Sequence, residues 1–266
     1  MQSRNYSSRS IGTYMHMLND LEEYHNISID EVSIDQVKDF LQYCIAERNF
    51  STSYVNQVIS AVKILQKDVL GKEWDPIKIK RPRRPKKLPV VLSKEEVKSM
   101  IETTRNLKHR AILAMIYSAG LRISEVTYLR PSDIDSDRRQ VRVLGKGNKY
   151  RYTLLSENSL DMLRIYWRAY KPVQYLFEGQ KQGQPISRES IQSIFRQACK
   201  RTRINKPASV HSLRHSFATH LLESGVNLKI IQSLLGHSSL RTTSIYLHVT
   251  RFDLASIRSP FDEITS

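Results

Sequence analysis

The chain has 266 residues, enough for one large domain or two small ones, and its 42 Lys plus Arg against 26 Asp plus Glu give a formal charge of +16. That excess exceeds what solubility needs and selects a polyanion as partner, nucleic acid ahead of an acidic membrane. Apolar residues at 40% with only nine Gly and nine Pro exclude a disordered or low-complexity chain and predict a helix-rich globule.

No apolar segment follows the first residues, and none approaches the length of a membrane span, so a soluble intracellular protein is expected. Three amphipathic helices are predicted in the first 75 residues: Ile11 to Tyr24, Ser33 to Glu47 with Ser33 as its cap, and Ser53 to Leu70 ending at Gly71. They make a small all-helical domain over residues 1–75. Cys44 and Cys199 sit inside amphipathic runs without a C-x-x-C partner and read as reduced core residues.

Residues 76–92 read as a basic interdomain linker. The segment from Pro76 to Pro89 holds seven basic residues (Lys78, Lys80, Arg81, Arg83, Arg84, Lys86 and Lys87), no acidic ones, and four prolines that deny it a helix. A proline-stiffened basic strap in so cationic a chain is placed to track DNA phosphates; a merely solvated linker is the alternative.

A second domain, residues 93–250, opens on Ser93 and Glu96 as a capping box. The apolar run Ala111 to Tyr117 predicts a helix ending at Gly120. Gln140 to Leu144 and Tyr150 to Leu154 alternate with period two around Gly145-Lys-Gly-Asn148, a β-hairpin with Lys146 at its tip. Helices follow around Asn158 to Tyr170, Ser187 to Arg203, His211 to Glu223, and Asn227 to Leu235 with Gly236 after it. The fold class is thus mainly α with a small β-hairpin or sheet, in two domains. Residues 251–266 form a tail with Phe252, Leu254, Ile257, Phe261 and Ile264, too short to bury itself.

Singly, Arg122, Lys146 and Tyr246 have ordinary structural explanations. His211 and His215 have the i, i+4 spacing of a zinc helix, but Ser212 stands where a metalloprotease needs Glu and no third ligand is near; no metal or other cofactor is expected. The set as a whole weighs differently: Ala119-Gly-Leu-Arg-Ile-Ser-Glu125, Gly145-Lys-Gly-Asn-Lys149, His211-Ser-Leu-Arg-His215, Leu235-Gly-His237 and Thr243-Ser-Ile-Tyr246. In order and spacing it resembles the tyrosine recombinase (phage-integrase) family over nearly the whole chain. Leu88 to Ser93 and Ile257 to Asp262 point to its Xer-like and integron-integrase-like branch, although Lys171 to Lys206 is short for the integron enzymes' extra helical insertion.

The resemblance implies a SAM-like core-binding domain and a catalytic domain forming a C-shaped clamp on duplex DNA. It further implies site-specific cleavage and rejoining through a 3′-phosphotyrosyl intermediate, as in DNA integration, excision or resolution in mobile genetic elements, without metal or ATP. Four protomers would assemble on two sites, with the tail docking on a neighbouring subunit or, alternatively, in cis. The implied partners are double-stranded recombination sites, with no membrane or small-molecule substrate, and the setting is the nucleoid-associated cytoplasm of a bacterium or archaeon.

The residue types suit this chemistry. Arg122 and Arg214 offer planar, permanently charged donors to the oxygens of a pentacoordinate phosphorus. Tyr246 is the nucleophile, and its ester keeps the energy of the broken bond. Its proton would leave to His211 or under the field of the arginines. By the resemblance, Lys146, ahead of Lys149, protonates the leaving 5′ oxygen, and His237 donates to the phosphate. Glu125, one turn from Arg122, either orients it or is an ordinary surface carboxylate. The rivals are a type IB topoisomerase or hairpin-forming resolvase, and a DNA-binding protein without catalysis.

Overall fold

Serine hydroxyls open many of the helices, because a side-chain oxygen satisfies an amide that the first turn leaves unpaired. In the computed structural model, which describes residues 6, 8–73, 80–82, 88–145 and 149–250, Ser33 accepts from the Gln36 amide while Gln36 takes the Ser33 amide, starting α2 (Ile34–Ala46). Ser51 likewise starts α3 (Thr52–Ile64), which widens into a π-turn over Leu65–Val69. With α1 (Ser8–His25), these helices close on Leu21, Val37, Phe40, Cys44, Val58 and Ile59. Burial pushes the Cys44 thiol up to about 11, which keeps it protonated in this core.

The chain divides into two compact units between Lys87 and Leu88. Two parts of the segment read from the sequence as linker therefore belong to folded units. Arg81 donates to the Asn56 carbonyl and the Ser60 hydroxyl on α3, at 3.0 and 3.1 Å, and Asn56 donates to the Pro82 carbonyl at 3.1 Å. Leu92 is fully buried in the second unit, and its amide donates to Ser216 at 2.8 Å. Proline spacing marks where a helix cannot run, but it does not show which flanking residues dock.

The second unit begins with α4 (Lys94–Glu102) on its predicted Ser93/Glu96 box. Its centre is α5 (Leu107–Ser118), whose Ile112, Leu113, Met115 and Ile116 are fully buried. A short helix, α6 (Ile123–Thr127), follows at once, started by Arg122 in extended conformation. Strands β1 (Ile134–Asp135), β2 (Gln140–Leu144) and β3 (Tyr150–Leu154) form an antiparallel sheet in that order, with Val143 opposite Arg151 and Val141 opposite Thr153. The hairpin matches the period-two reading; β1, at two residues, is too short to leave such a pattern.

Then come α7 (Glu157–Tyr170), α8 (Arg188–Arg201), α9 (Val210–Glu223) and α10 (Leu228–Leu235), with α7 and α9 against α5. A final α11 (Leu240–Thr243) runs into a 3-10 turn over Ser244–His248. At Gly120, φ is +59°, and an added Cβ would run into the Phe217 ring. Only glycine gives the left-handed turn and lets α9 approach the end of α5 so closely.

Candidate active site

Five separate segments bring their side chains to one place in the second unit. Glu125, on α6, is 5% exposed at its side chain, so it is not an ordinary surface carboxylate. Its carboxylate takes the Arg122 backbone amide at 2.7 Å and the Arg122 Nη1 at 2.8 Å. From β3, Arg151 adds a two-pronged pair at 2.7 and 2.9 Å, and Arg214 of α9 stands 3.6 Å away. Burial alone would raise the Glu125 pKa. Hydrogen bonding and charge from Arg151, then the Arg122 amide and Arg214, overcome it, and the carboxyl stays ionised below its ordinary range.

Arg214 is held by backbone as well as charge. Its Nη1 donates to the Gly120 carbonyl at 2.5 Å and its Nη2 to the Leu235 carbonyl at 2.6 Å, with Nη2 also 3.2 Å from His237 Nε2. Burial and then the Arg122 charge lower its pKa to about 9, so it remains a cation at neutral pH. Three guanidiniums against one carboxylate leave the site positive. The Arg122 side chain is 34% exposed and the outermost of the three, for the Arg151 and Arg214 side chains are 10% and 4% exposed.

His237 follows Gly236, the left-handed cap of α10, and its Nδ1 lies 3.0 Å from the Thr243 hydroxyl. That bond fixes the ring, leaving Nε2 toward Arg214. Burial, then Arg214 and Arg122, lower its pKa to about 4.

Tyr246 sits in the 3-10 turn, 2% exposed, packed with Phe217, Ile231 and Leu235. Burial holds its pKa above the ordinary phenol value, and the Arg214 and Arg122 charges offset this only in part. Its hydroxyl meets His215 rather than His211: the Nδ1 to Oη distance is 3.1 Å. Burial, then His211 and Arg214, hold His215 neutral with a pKa near 4. His211 is one helical turn away, its own pKa lowered by burial, Arg214 and Arg122.

The structure thus brings Arg122, Glu125, His211, Arg214, His237 and Tyr246 together. It adds Arg151, not singled out in the sequence, and His215, noted there only for its metal-type spacing from His211. Both left a signal: Arg151 shares the inward face of β3 with buried Thr153, and His215 repeats His211 at i, i+4. Lys146 lies outside the described residues, as do Lys78, Arg83, Arg84, Lys86, Lys87 and the tail 251–266. The residues flanking Lys146 are paired, Gly145 donating to the Lys149 carbonyl at 2.8 Å. Lys80 and Arg81 are both exposed, and Arg81 is hydrogen-bonded to α3. Among the described residues, no three His, Cys, Asp or Glu converge as a metal site, and no helix is long and apolar enough to cross a membrane.

Comparison with known proteins identifies the family. Residues 90–251 match the phage integrase family, and residues 1–76 match the phage integrase N-terminal SAM-like domain. A protein named integrase/recombinase y4qK, of Sinorhizobium fredii, is 38% identical over 98% of this chain and 86% of its own. The tyrosine recombinase XerD of Staphylococcus aureus is 31% identical over 96% and 92%. Among solved structures, XerA recombinase is 27% identical, with a TM-score of 0.57 over 100% of this chain and 95% of its own. The XerH site-specific recombinase, in a post-cleavage complex with its difH substrate, shares the fold at 22% identity and a TM-score of 0.75, over 93% and 78%. Carrying both family domains and matching integrases and recombinases over nearly its whole length, the chain belongs to the phage integrase family as a tyrosine recombinase of Xer-like type, an enzyme of site-specific DNA cleavage and rejoining.

Proposed function

We propose that Tyr246 attacks the scissile phosphorus of duplex DNA, the phenolic oxygen forming a bond to phosphorus as the bond to the 5′ oxygen breaks. The strand is left with a 3′-phosphotyrosine and a free 5′-hydroxyl, and attack by a partner strand's 5′-hydroxyl reverses the step. The observation that carries this reading is Glu125 bonded to Arg122 and 3.6 Å from Arg214, with the Tyr246 hydroxyl 3.1 Å from His215 on the same helix as Arg214.

In this reading Arg122 and Arg214 stabilise the charge that develops on the phosphoryl oxygens, and His237 assists from beside Arg214. Lys146 supplies the proton that the departing 5′ oxygen needs. The Tyr246 proton leaves toward the neighbouring histidines. Fixed guanidiniums provide the charge that a divalent ion would otherwise bring, and the phosphotyrosine stores the bond energy, so cleavage needs neither metal nor nucleotide. Residues 1–75 and the strap 76–92 grip DNA beside the catalytic residues 93–250, and four protomers act on two sites.

Covalent capture of sheared genomic DNA from the source organism would identify the crossover site, and a nicked duplex of it would trap the adduct. Wild-type protein is expected to form it in EDTA without nucleotide, and Tyr246→Phe to bind but form none. An adduct from the Phe variant would move the nucleophile elsewhere, and a strict Mg²⁺ requirement in single-turnover cleavage would overturn the metal-free chemistry.

A further inference from the structure

We infer that Arg151 is a positioning residue for this reaction: by saturating Glu125, it keeps the free donors of Arg122 and Arg214 aimed at the phosphate. The inference deepens the reading above and rests on it. Arg151 has little left to give a substrate. Its Nη1 and Nη2 are on Glu125, its Nε donates to the Leu234 carbonyl at 2.8 Å, and its side chain is 10% exposed.

Two backbone features register it against Arg214. Leu234 and Leu235 present consecutive carbonyls at the end of α10, the first to Arg151 and the second to Arg214. The Arg151 stem then crosses Gly236, where an added Cβ would lie 2.7 Å from Arg151 Cδ. The glycine serves as left-handed cap and as passage for the side chain. One carboxylate and one helix end therefore fix three guanidiniums relative to each other.

Removing Arg151 would leave a buried carboxylate short of partners, which is costly. The remaining cationic neighbours are the reacting arginines: Arg122 is already bonded to Glu125, and Arg214 Nη1 is 3.6 Å from Glu125 Oε2. Glu125 would close on them and draw them off the phosphate. Arg151 thus acts through Glu125.

The test uses full-length protein and the nicked duplex recovered by covalent capture. Arg151→Met and Arg151→Lys should bind DNA within about twofold of wild type while single-turnover cleavage falls roughly 10- to 100-fold, the range typical of outer partners at reacting sites. Because the effect runs through Glu125, adding Arg151→Met to Glu125→Gln should cost little beyond Glu125→Gln alone. The Arg151 loss should also shrink on DNA with a methylphosphonate at the cleaved position, which removes one charged oxygen.

Independent losses in the double variant, an undiminished loss on methylphosphonate, or an unchanged cleavage rate per bound complex would overturn the inference. If Arg151→Met fails to fold by circular dichroism, Arg151→Lys, which keeps stem and charge but not the two-pronged geometry, decides by the same criteria. Wild-type protein forming no adduct would instead overturn the proposed function, so the two failures are distinguishable.

Discussion

His215 and His237 are held neutral with pKa values near 4, against 6.5 for free histidine, chiefly by burial and then by neighbouring cationic or histidine groups. Between those values the unfolded chain binds protons that the folded site refuses, so stability falls as pH drops from 6.5 toward 4 and is level above that window. Thermal melts should show a lower Tm at pH 5 than at pH 7.5, and His215→Gln with His237→Gln should flatten the difference. A melt with the same slope in the double variant would assign the acid sensitivity to other groups. Gly236→Ala is expected to cost about 1–2 kcal/mol from its left-handed backbone alone, with φ at +62°, and to lose cleavage besides, as its Cβ meets Arg151. An unchanged Tm and rate would show that Arg151 can move aside freely.

At the scale of elements, the strap between the units is the part that structure modifies most. Counterion release predicts that the slope of log affinity against log salt falls by roughly 0.9 for each phosphate that the protein no longer neutralises. Arg83→Ala and Arg84→Ala should each approach that figure. Arg81→Ala should fall short of it, since the guanidinium already serves Asn56 and Ser60 on α3, and should lower the stability of the N-terminal unit instead. Binding titrations from about 50 to 200 mM salt check both; a full unit of slope removed by Arg81→Ala would mean that its hydrogen bonds to the helix yield to DNA.

For the whole molecule, truncation tests the proposal that the tail from Arg251 to Ser266 couples protomers on DNA. Truncation after Asp253 should leave binding to a single site nearly intact, weaken cooperative binding to paired sites and abolish complete strand exchange. Gel-shift titration on one-site and two-site DNA, followed by a recombination assay, would show it. Normal exchange by the truncated chain would remove the tail from the assembly, and failure to fold would mean that it docks in cis.

The sequence by itself determined the elements that local chemistry dictates. Ser33 and Ser93 capped their helices, the alternation at 140–144 and 150–154 made the hairpin, and Gly236 ended α10. It also placed Arg122, His211, Arg214, His237 and Tyr246 in one family pattern, because the order and spacing of chemically demanding residues survive without coordinates. Tertiary structure alone decided the partnerships. That Tyr246 bonds His215 and not His211 depends on how the 3-10 turn lies against α9. That Glu125 is a buried hub for three arginines depends on β3, α6 and α9 converging from 26 and 89 residues apart along the chain. Periodicity gives each side chain a face, but which charge pairs with which is fixed only when packing removes water and leaves every buried ionic group in need of a partner.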